Sequence, residues 1–434
     1  MRNKNKTVHI STQFYPPDHV PTETDRIQNN KKTIYIFTQF YPPDYAPTGQ
    51  LIEELIHSLG PRERKIQIFA GQPSYAHNQN VSARVEQVNG VNIRRTNSTK
   101  LWGDRIRGKS INGILFCISA LIYGIRSLKK EDSLILTTAP PFLSIVGYIL
   151  NYLLGIFYFC IIYDVYPDVA VKLEAVSKNN WLVKIWDNLN QKIWNRSKGI
   201  IVLSNSMKDQ ILSKHPKLED KISVIHSWAD PEWIRSIDKS ENWFAQKHKL
   251  VDKFTVLYSG NLGRCHDIDT IMRSAYQLKE YLFQFVFIGG GAGVEYCMNL
   301  IKLWQLKNCI LLPYQEKKNI PYSLTAGDLS LVSIKAGMEG VIAPSKFYSA
   351  LASGRPIAAI CPKNSYLCQI INQARCGRVF ENGDSDGLSQ FIQELAIDPQ
   401  LGKRMGQAGR NHLIQNYTPA IIAREYAKVL ELDN

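Results

Sequence analysis

The feature that most constrains this chain is an alternation of short apolar runs with amphipathic helical segments, which occurs in two separate blocks. In the first block, strands are predicted at Thr33–Thr38, Lys65–Ala70, Val91–Arg94, Ser133–Thr137, Ile156–Tyr163, Gly199–Leu203 and Ile222–Ile225. Helices between them are predicted at Gln50–Leu59, Ile111–Leu128, Phe142–Leu154, Trp181–Asn195 and Ser206–Lys214. This alternation predicts a parallel, doubly wound α/β sheet.

The alternation stops in a polar, tryptophan-containing segment and then starts again. Strands of the second block are predicted at Phe254–Tyr258, Phe285–Ile288, Cys309–Leu312, Leu329–Ser333 and Pro356–Ile360. Because 434 residues exceed one ordinary core, we predict two Rossmann-like doubly wound domains facing across a cleft. The predicted divisions are an N-terminal extension at 1–32, a first domain at 33–232, a linker at 233–253, a second domain at 254–415 and a terminal helix at 416–434.

The N-terminus contains an internal repeat, in which the motif Thr12–Asp18 returns as Thr38–Asp44. Only the second copy continues through Gly49 into a helical stripe of apolar residues. The first copy is therefore interpreted as a poorly ordered extension, because no helix follows it that could bind an anion.

Composition favours anionic partners, since 52 Lys and Arg residues against 38 Asp and Glu residues give a net charge of +14. A generally solvated basic surface explains the same excess. The eight cysteines include no C-x-x-C pair, which predicts a reducing compartment without disulfides or structural zinc. No apolar stretch follows the basic start Met1–Lys6, so no secretory signal is expected.

Two stretches bear on membrane contact. The run from Ala139 to Tyr163 is long enough to span a bilayer, but its Pro140-Pro141 start and its interruption at Gly155 favour a buried helix followed by a strand. The segment 94–109 mixes cations with apolar anchors, which is typical either of a membrane-surface patch or of a solvated basic loop.

The segment from Gly337 to Ile360 predicts an anion site. A helix start at Pro344-Ser345 offers unpaired N–H groups and a positive dipole end, and Lys346 adds a cation. Glu339, just upstream, is placed to accept hydrogen bonds from the hydroxyl groups of a sugar or ribose. Gly354 is predicted to end the short helix before the next strand.

A second loop, after the strand Phe254–Tyr258, complements this site. Its small residues, Gly260 among them, allow the backbone to approach a ligand closely, and Arg264 is placed to pair with phosphate oxygens. Two cations and a helix dipole at one sheet edge suit a diphosphate.

Taken as a set, these motifs resemble the family 4 glycosyltransferases of GT-B fold, in the branch of colanic-acid and exopolysaccharide transferases. The resembling motifs are Thr38–Asp44 with Pro47–Gly49, Tyr163–Asp168, Tyr258–Arg264, Glu339-Gly340, Pro344–Lys346 and Gly354–Pro356. The resemblance implies a retaining, metal-independent transfer from a nucleoside diphosphate sugar, with no other cofactor, to a lipid-linked or oligosaccharide acceptor. It implies a cytoplasmic enzyme, peripheral on the inner face of the plasma membrane.

The resemblance also implies roles for single residues. The first domain takes the acceptor and the second takes the donor, with Gly260 and Asn261 near the phosphates and Arg264 on the diphosphate. Lys346, with the helix start at Ser345, binds the diphosphate too. Glu339 lies near the sugar, and the loop of Gly49 closes over the donor.

The chain departs from the family where a second glutamate is expected. That residue normally lies five positions before the glycine that ends the helix, and Ser349 occupies this place. Phe347 occupies the place counted forward from Glu339, so Glu339 is out of register with the usual first glutamate. Ser349 is expected to make one hydrogen bond to the donor.

Acidic residues in the first domain are further candidates. Asp164 follows a predicted strand at the cleft, whereas Asp168 suits either the cleft or the start of a helix. His57 is interpreted as a surface residue. The D-x-D motifs at Asp267 and Asp384 are interpreted as helix caps rather than metal ligands.

Two other functions share these features. A UDP-GlcNAc 2-epimerase has the same architecture but needs an acid–base set at the sugar, for which no convincing His/Glu set is found. A degenerate, non-catalytic member that binds a partner or lipid agrees with the missing glutamate. Nucleic acid is not expected, because the basic residues do not interleave with stacking aromatics.

Overall fold

The computed structural model describes residues 32–44, 46–60, 65–74, 81–97 and 106–432. The first copy of the repeat and much of the basic segment 94–109 lie outside these ranges. The described chain forms two α/β domains, each around its own sheet. The prediction of two doubly wound sheets is confirmed.

The N-terminal sheet has eight strands in the order β3-β4-β2-β1-β5-β6-β7-β8. Their bounds are β1 Thr33–Phe37, β2 Lys65–Gly71, β3 Val85–Val88, β4 Val91–Thr96, β5 Ser133–Thr137, β6 Phe157–Ile162, β7 Gly199–Val202 and β8 Ile222–Val224. All neighbours are parallel except β3 and β4, which form an antiparallel edge hairpin. Strand β3 was not predicted, because its mostly exposed side chains give no apolar alternation.

The helices of this domain cover both faces of the sheet. They are α1 Pro47–Ser58, α2 Ile106–Ser127, α3 Ser144–Leu154, α4 Asp168–Lys172, α5 Trp181–Arg196 and α6 Asn205–Leu212. The long apolar run divides into α3 and β6, separated by Gly155 in the left-handed conformation (φ +69°). The division into a helix and a strand is as predicted, and β6 is mostly buried, whereas α3 buries Val146 and Leu150 but exposes Tyr152 and Leu153 near its end.

The C-terminal sheet has six parallel strands in the order β11-β10-β9-β12-β13-β14. They are β9 Phe254–Ser259, β10 Phe283–Ile288, β11 Cys309–Leu312, β12 Leu329–Ser333, β13 Ile357–Ile360 and β14 Gly377–Phe380. The accompanying helices are α7 Trp243–Lys247, α8 Asp269–Gln277, α9 Val294–Leu303, α10 Ile320–Thr325, α11 Lys346–Ser353, α12 Tyr366–Ala374, α13 Ser385–Ile397 and α14 Pro399–Asn416.

Two segments cross between the domains. Within the predicted linker, Phe244 and Leu250 are buried in one apolar cluster with Leu257 of β9, so this part of the linker packs on the C-terminal domain. The last helix, α15 (Pro419–Val429), returns to the N-terminal domain, where Tyr426 is buried in the cluster that contains Leu55 of α1. The cleft between the sheets is therefore bridged by the chain itself.

Candidate functional site

Lys346, the first residue of α11, lies where the two predicted binding loops meet. Its Nζ donates to the main-chain carbonyl of Asn261 at 3.1 Å and to the Tyr258 hydroxyl, and it lies 4.0 Å from the centroid of the Tyr258 ring. Among the ion pairs of the described residues, none involves Lys346. Burial lowers the pKa of Lys346 to about 7. A desolvated cation without a carboxylate partner is suited to bind an anion.

The glycines around Lys346 allow this close packing. Gly260 has φ +129°, and a Cβ there would lie 3.3 Å from Cε of Lys346. A Cβ on Gly289, after β10, would lie 2.0 Å from the Gly260 carbonyl oxygen. The N–H of Leu262 donates to the Gly290 carbonyl at 2.7 Å, so the loops after β9 and β10 are docked on each other. A larger residue at Gly289 would force these loops apart.

The helix start itself matches the sequence prediction. Ser345 precedes Lys346 and makes no side-chain cap bond to the helix, which leaves its hydroxyl available to the cleft. Gly354 ends α11 in the left-handed conformation (φ +70°), as predicted. The side chain of Ser349, one turn along the helix, lines the same cavity as Ser345.

A second contact zone joins the domains near the predicted acidic residues. Asp164 forms an isolated antiparallel bridge with Ile342, and the N–H of Val165 donates to the Val341 carbonyl at 2.9 Å. Nζ of Lys172 lies 3.4 Å from the main-chain carbonyl of Glu339. The structure thus places the Asp164 segment against the Glu339 loop.

Arg264 reaches this zone from the C-terminal side. Its exposed guanidinium donates through Nη2 to the Leu173 carbonyl of the N-terminal domain at 3.1 Å. The contact ties the loop after β9 to the segment that follows α4. Arg264 therefore lies at the domain boundary, hydrogen-bonded to the facing backbone, and its binding to a diphosphate stays a prediction.

The two candidate carboxyl groups differ in environment. Burial raises the pKa of Asp164 to about 6. Oε2 of Glu339 is buried and has no hydrogen-bond partner. A buried carboxylate oxygen without a partner is suited to accept a hydrogen bond from a hydroxyl group of a ligand.

A cavity of about 100 Å³ separates α1 from α11. Pro47, Gln50 and Glu54 line one wall, and Ser345 and Ser349 line the other. The cavity therefore lies between the predicted donor-binding helix and the helix that contains Gly49.

Gly49 lies in the first turn of α1 and sets the position of that helix. A Cβ on Gly49 would lie 3.0 Å from the carbonyl carbon of Phe40, so a side chain here would push α1 away from this backbone. Pro47 and Gln50, on either side of Gly49, line the cavity, and closure of this segment over a donor stays a prediction.

Glu54 is a cavity residue that sequence reasoning missed. Its Oε2 accepts a hydrogen bond of 2.9 Å from Nε1 of Trp228, and burial raises its pKa to about 7. In the sequence Glu54 is one polar residue of an amphipathic helix, and nothing there distinguishes it from a surface glutamate. Its burial results from the return of the chain through Trp228.

Other acidic residues have structural partners. Asp168 accepts hydrogen bonds from Gln210 and Lys214, both at 2.9 Å, so its carboxylate is used within the N-terminal domain. Asp267 accepts from the N–H of Thr270 at 3.0 Å, and Asp384 accepts from the N–H of Gly387 at 2.9 Å. Both D-x-D motifs are therefore helix caps, as predicted. His57 is exposed.

Neither a metal-ligand cluster nor a disulfide occurs among the described residues. Within the part of the chain that the structure describes, no group of three or more His, Cys, Asp or Glu side chains is arranged to hold a metal ion. The eight cysteines are free thiols.

Comparison with known proteins identifies the second domain. Residues 239–412 match the family model described as "Glycosyl transferases group 1". The chain carries a group 1 glycosyltransferase domain. The match to the family model begins at residue 239, inside the predicted linker. This agrees with the packing of α7 on the C-terminal domain.

Curated relatives extend the group 1 likeness beyond this domain. A probable glycosyltransferase, WbjE of Pseudomonas aeruginosa, is 25% identical over 323 residues, covering 73% of this chain and 79% of the relative. A putative colanic acid biosynthesis glycosyl transferase, WcaI of Escherichia coli K12, is 26% identical over 194 residues, covering 44% and 47%. The predicted resemblance to this class of glycosyltransferase is confirmed.

Solved structures show that the fold of the chain is GT-B. Sucrose-phosphate synthase from Thermosynechococcus elongatus has a TM-score of 0.74 at 14% identity, covering 93% of this chain and 99% of that one. Anabaena HepE in complex with UDP-glucose has a TM-score of 0.68 at 13% identity, covering 92% and 99%. At these identities the likeness concerns the fold alone.

Proposed function

We propose that this glycosyltransferase transfers a sugar, with retention of anomeric configuration and without a metal ion, from a nucleoside diphosphate sugar to a lipid-linked saccharide acceptor. The reaction would serve the synthesis of an exopolysaccharide or another cell-envelope polysaccharide. A UDP-sugar is the first donor to test, because HepE, which shares the fold, was solved with UDP-glucose.

One observation carries the donor assignment. The ammonium group of Lys346 is buried without an anionic partner at the start of α11, beside the glycine loop that contains Gly260. A bound diphosphate would supply the missing counter-charge. Because the leaving diphosphate gains negative charge in the transition state, a preorganised cation stabilises that state more than the ground state.

The charges at the cleft support a reaction without a metal ion. Lys346 and the N-terminus of α11 supply positive charge, and Arg264 adds a second cation at the domain boundary. For Arg264 to bind phosphate through Nη2, the hydrogen bond from Nη2 to the Leu173 carbonyl must be replaced by one to the ligand. A small movement of the domains accompanying donor binding would permit this exchange.

Glu339 and Asp164 are proposed to act on the donor sugar. The unpaired Oε2 of Glu339 would accept a sugar hydroxyl, and Asp164 would lie across the cleft from it. Because its pKa is about 6, Asp164 would be mostly ionised at neutral pH. The carboxylate would then stabilise the positive charge that develops on the sugar ring. Ser345 and Ser349 would hydrogen-bond the nucleotide along α11.

The donor assignment is tested by incubating the full chain with a panel of UDP-, GDP- and ADP-sugars and measuring slow donor hydrolysis. We expect one donor class to be hydrolysed, with equal rates in EDTA and in Mg²⁺. The absence of binding and hydrolysis across the panel, with folded protein, would refute the assignment. Isomerisation of UDP-GlcNAc without any acceptor would instead indicate an epimerase.

The acceptor and the location are proposed from the resemblance and the relatives. WcaI is described as a colanic acid biosynthesis enzyme, and a lipid-linked acceptor would place this enzyme on the cytoplasmic face of the plasma membrane. The test supplies polyprenyl diphosphate saccharides together with the hydrolysed donor. NMR of the product gives the anomeric configuration, and an inverted product would refute retention.

A further inference from the structure

Helix α2 exposes a stripe of isoleucines to solvent. The fractional exposures are 37% for Ile111, 50% for Ile114, 49% for Ile118, 45% for Ile122 and 46% for Ile125. Their spacing of three and four residues puts them on one side of the helix. No charged residue occurs between Ser110 and Ile125. A surface helix normally has polar residues on this side, so the stripe indicates an interaction surface.

Neighbouring helices continue the apolar surface. Helix α3 packs between α2 and α5. The guanidinium of Arg196 on α5 lies 5.8 and 5.5 Å from the ring centroids of Tyr148 and Tyr152 on α3. The exposed apolar residues on these two helices are Tyr152, Leu153, Trp181, Leu182 and Ile185. We call the isoleucine stripe together with these residues the apolar face.

Cations surround the apolar face. The exposed basic residues on or directly after the three helices include Arg126, Lys129, Lys130, Lys184, Lys192 and Arg196, and exposed Glu131 follows Lys130. Asp187, the acidic residue of α5, is occupied by Nζ of Lys214 at 3.1 Å. The face therefore combines exposed apolar side chains with a positive rim.

The side of α2 opposite the stripe is fixed in the protein core. Phe116 and Ala120 are fully buried in the cluster that contains Leu136 of β5. The window Ser110–Ser127 is apolar enough to cross a membrane by length and composition, and 28% of it is buried. Because its inner side packs on the sheet, α2 in this fold can lie on a bilayer but not span it.

We propose that the apolar face docks this protein on a bilayer surface containing anionic phospholipid. A second copy of the chain would bring the two positive rims together, and this repulsion disfavours self-association through the face. Exposed Trp181 and Tyr152 suit the boundary between headgroups and acyl chains. The proposal does not depend on the transfer reaction, but it would position the cleft for a lipid-linked acceptor.

The proposal is tested by flotation of the full chain with vesicles of phosphatidylcholine alone or with 30% phosphatidylglycerol. We expect binding to the anionic vesicles. The variant Ile114→Gln/Ile118→Gln/Ile122→Gln should reduce partitioning by at least about tenfold, because three partly exposed apolar side chains are removed from the contact. A matched control, Leu282→Gln/Leu303→Gln/Ile397→Gln, removes exposed apolar residues of the C-terminal domain and should leave partitioning unchanged.

A second variant tests the contribution of the basic residues to vesicle binding. Lys184→Gln/Lys192→Gln should weaken binding to anionic vesicles by about fivefold per cation, and added salt should reduce this difference. Circular dichroism and thermal unfolding check that each variant is folded, and the single variant Ile118→Gln replaces the triple variant if the latter unfolds. Failure of the wild type to bind anionic vesicles, or equal binding by wild type and stripe variant, would overturn the proposal. A dimer that the stripe variant abolishes, without lipid binding, would assign the face to a second copy.

Discussion

The ammonium group of Lys346 donates to the main-chain carbonyl of Asn261 across a separation of 85 residues. This contact joins the start of α11 to the loop after β9. Both elements lie at the carboxyl edge of the C-terminal sheet, where ligands bind in open α/β folds. In the proposed function, this contact would hold the cation in position before the donor diphosphate binds, as electrostatic catalysis requires.

Replacing Lys346 should therefore affect catalysis strongly. We expect Lys346→Ala to lower kcat for donor turnover by about 100-fold or more, since one lost electrostatic contact to a developing charge costs about 3 kcal/mol. Steady-state kinetics on the donor identified by the panel measures this. Lys363→Ala, at an exposed lysine paired with Glu381, is the control and should retain full activity. Unchanged turnover in Lys346→Ala would remove this residue from the mechanism.

Donor binding should take up a proton above neutral pH. With its pKa near 7, Lys346 is increasingly neutral in the free protein at higher pH, and a bound diphosphate favours the charged form. UDP-glucose affinity is thus expected to be highest below pH 7 and to fall as pH rises towards 9. Calorimetry at pH 8 in two buffers of different ionisation enthalpy should show uptake of up to about one proton per ligand. Lys346→Met should abolish this uptake, and an equal uptake by this variant would assign the proton to another group.

Asp164→Asn should separate stability from activity. The folded-state pKa of Asp164, about 6, lies above the ordinary value of 3.8, so the folded protein binds more protons between these pH values and loses stability as pH rises through them. Asparagine stays neutral, so the variant should be more stable than wild type by about 1 kcal/mol at pH 7, but not at pH 4. Its transfer rate should fall. Urea unfolding at both pH values measures the effect, and a variant less stable at pH 7 would contradict it.

Two glycine substitutions should have opposite effects. Gly289→Ala would place a Cβ 2.0 Å from the Gly260 carbonyl oxygen at a φ of +142°, so we expect destabilisation by about 2–4 kcal/mol and weaker UDP-sugar binding. Gly402→Ala, within α14, meets only ordinary contacts at 3.7 Å and should stabilise by up to about 1 kcal/mol. Thermal unfolding compares them. Equal melting temperatures would show that the loop after β10 tolerates a side chain.

Much of the fold followed from local patterns. Strand β5 agrees with its prediction at both ends, and α11 ends at Gly354 as expected, because apolar periodicity and helix-ending glycine are local signals. The edge strand β3 was missed because most of its side chains are exposed, so its sequence shows no alternation of apolar and polar residues. Helix α2 was predicted to begin at Ile111 and begins at Ile106, because helix ends are less sharply marked in a sequence than helix interiors.

The candidate site, like the fold, was predicted only in part from the sequence. The sequence by itself determined that Gly260 follows a strand and that Ser345 and Lys346 begin a helix, because these are local backbone features that short motifs record. Only the tertiary structure decided which residues face them. Docking of the domains brings Asp164 to Ile342 and Arg264 to the Leu173 carbonyl, and the return of the chain through Trp228 buries Glu54. Such contacts depend on how two separate sheets pack together, and neither residue spacing nor hydrophobic period records that packing.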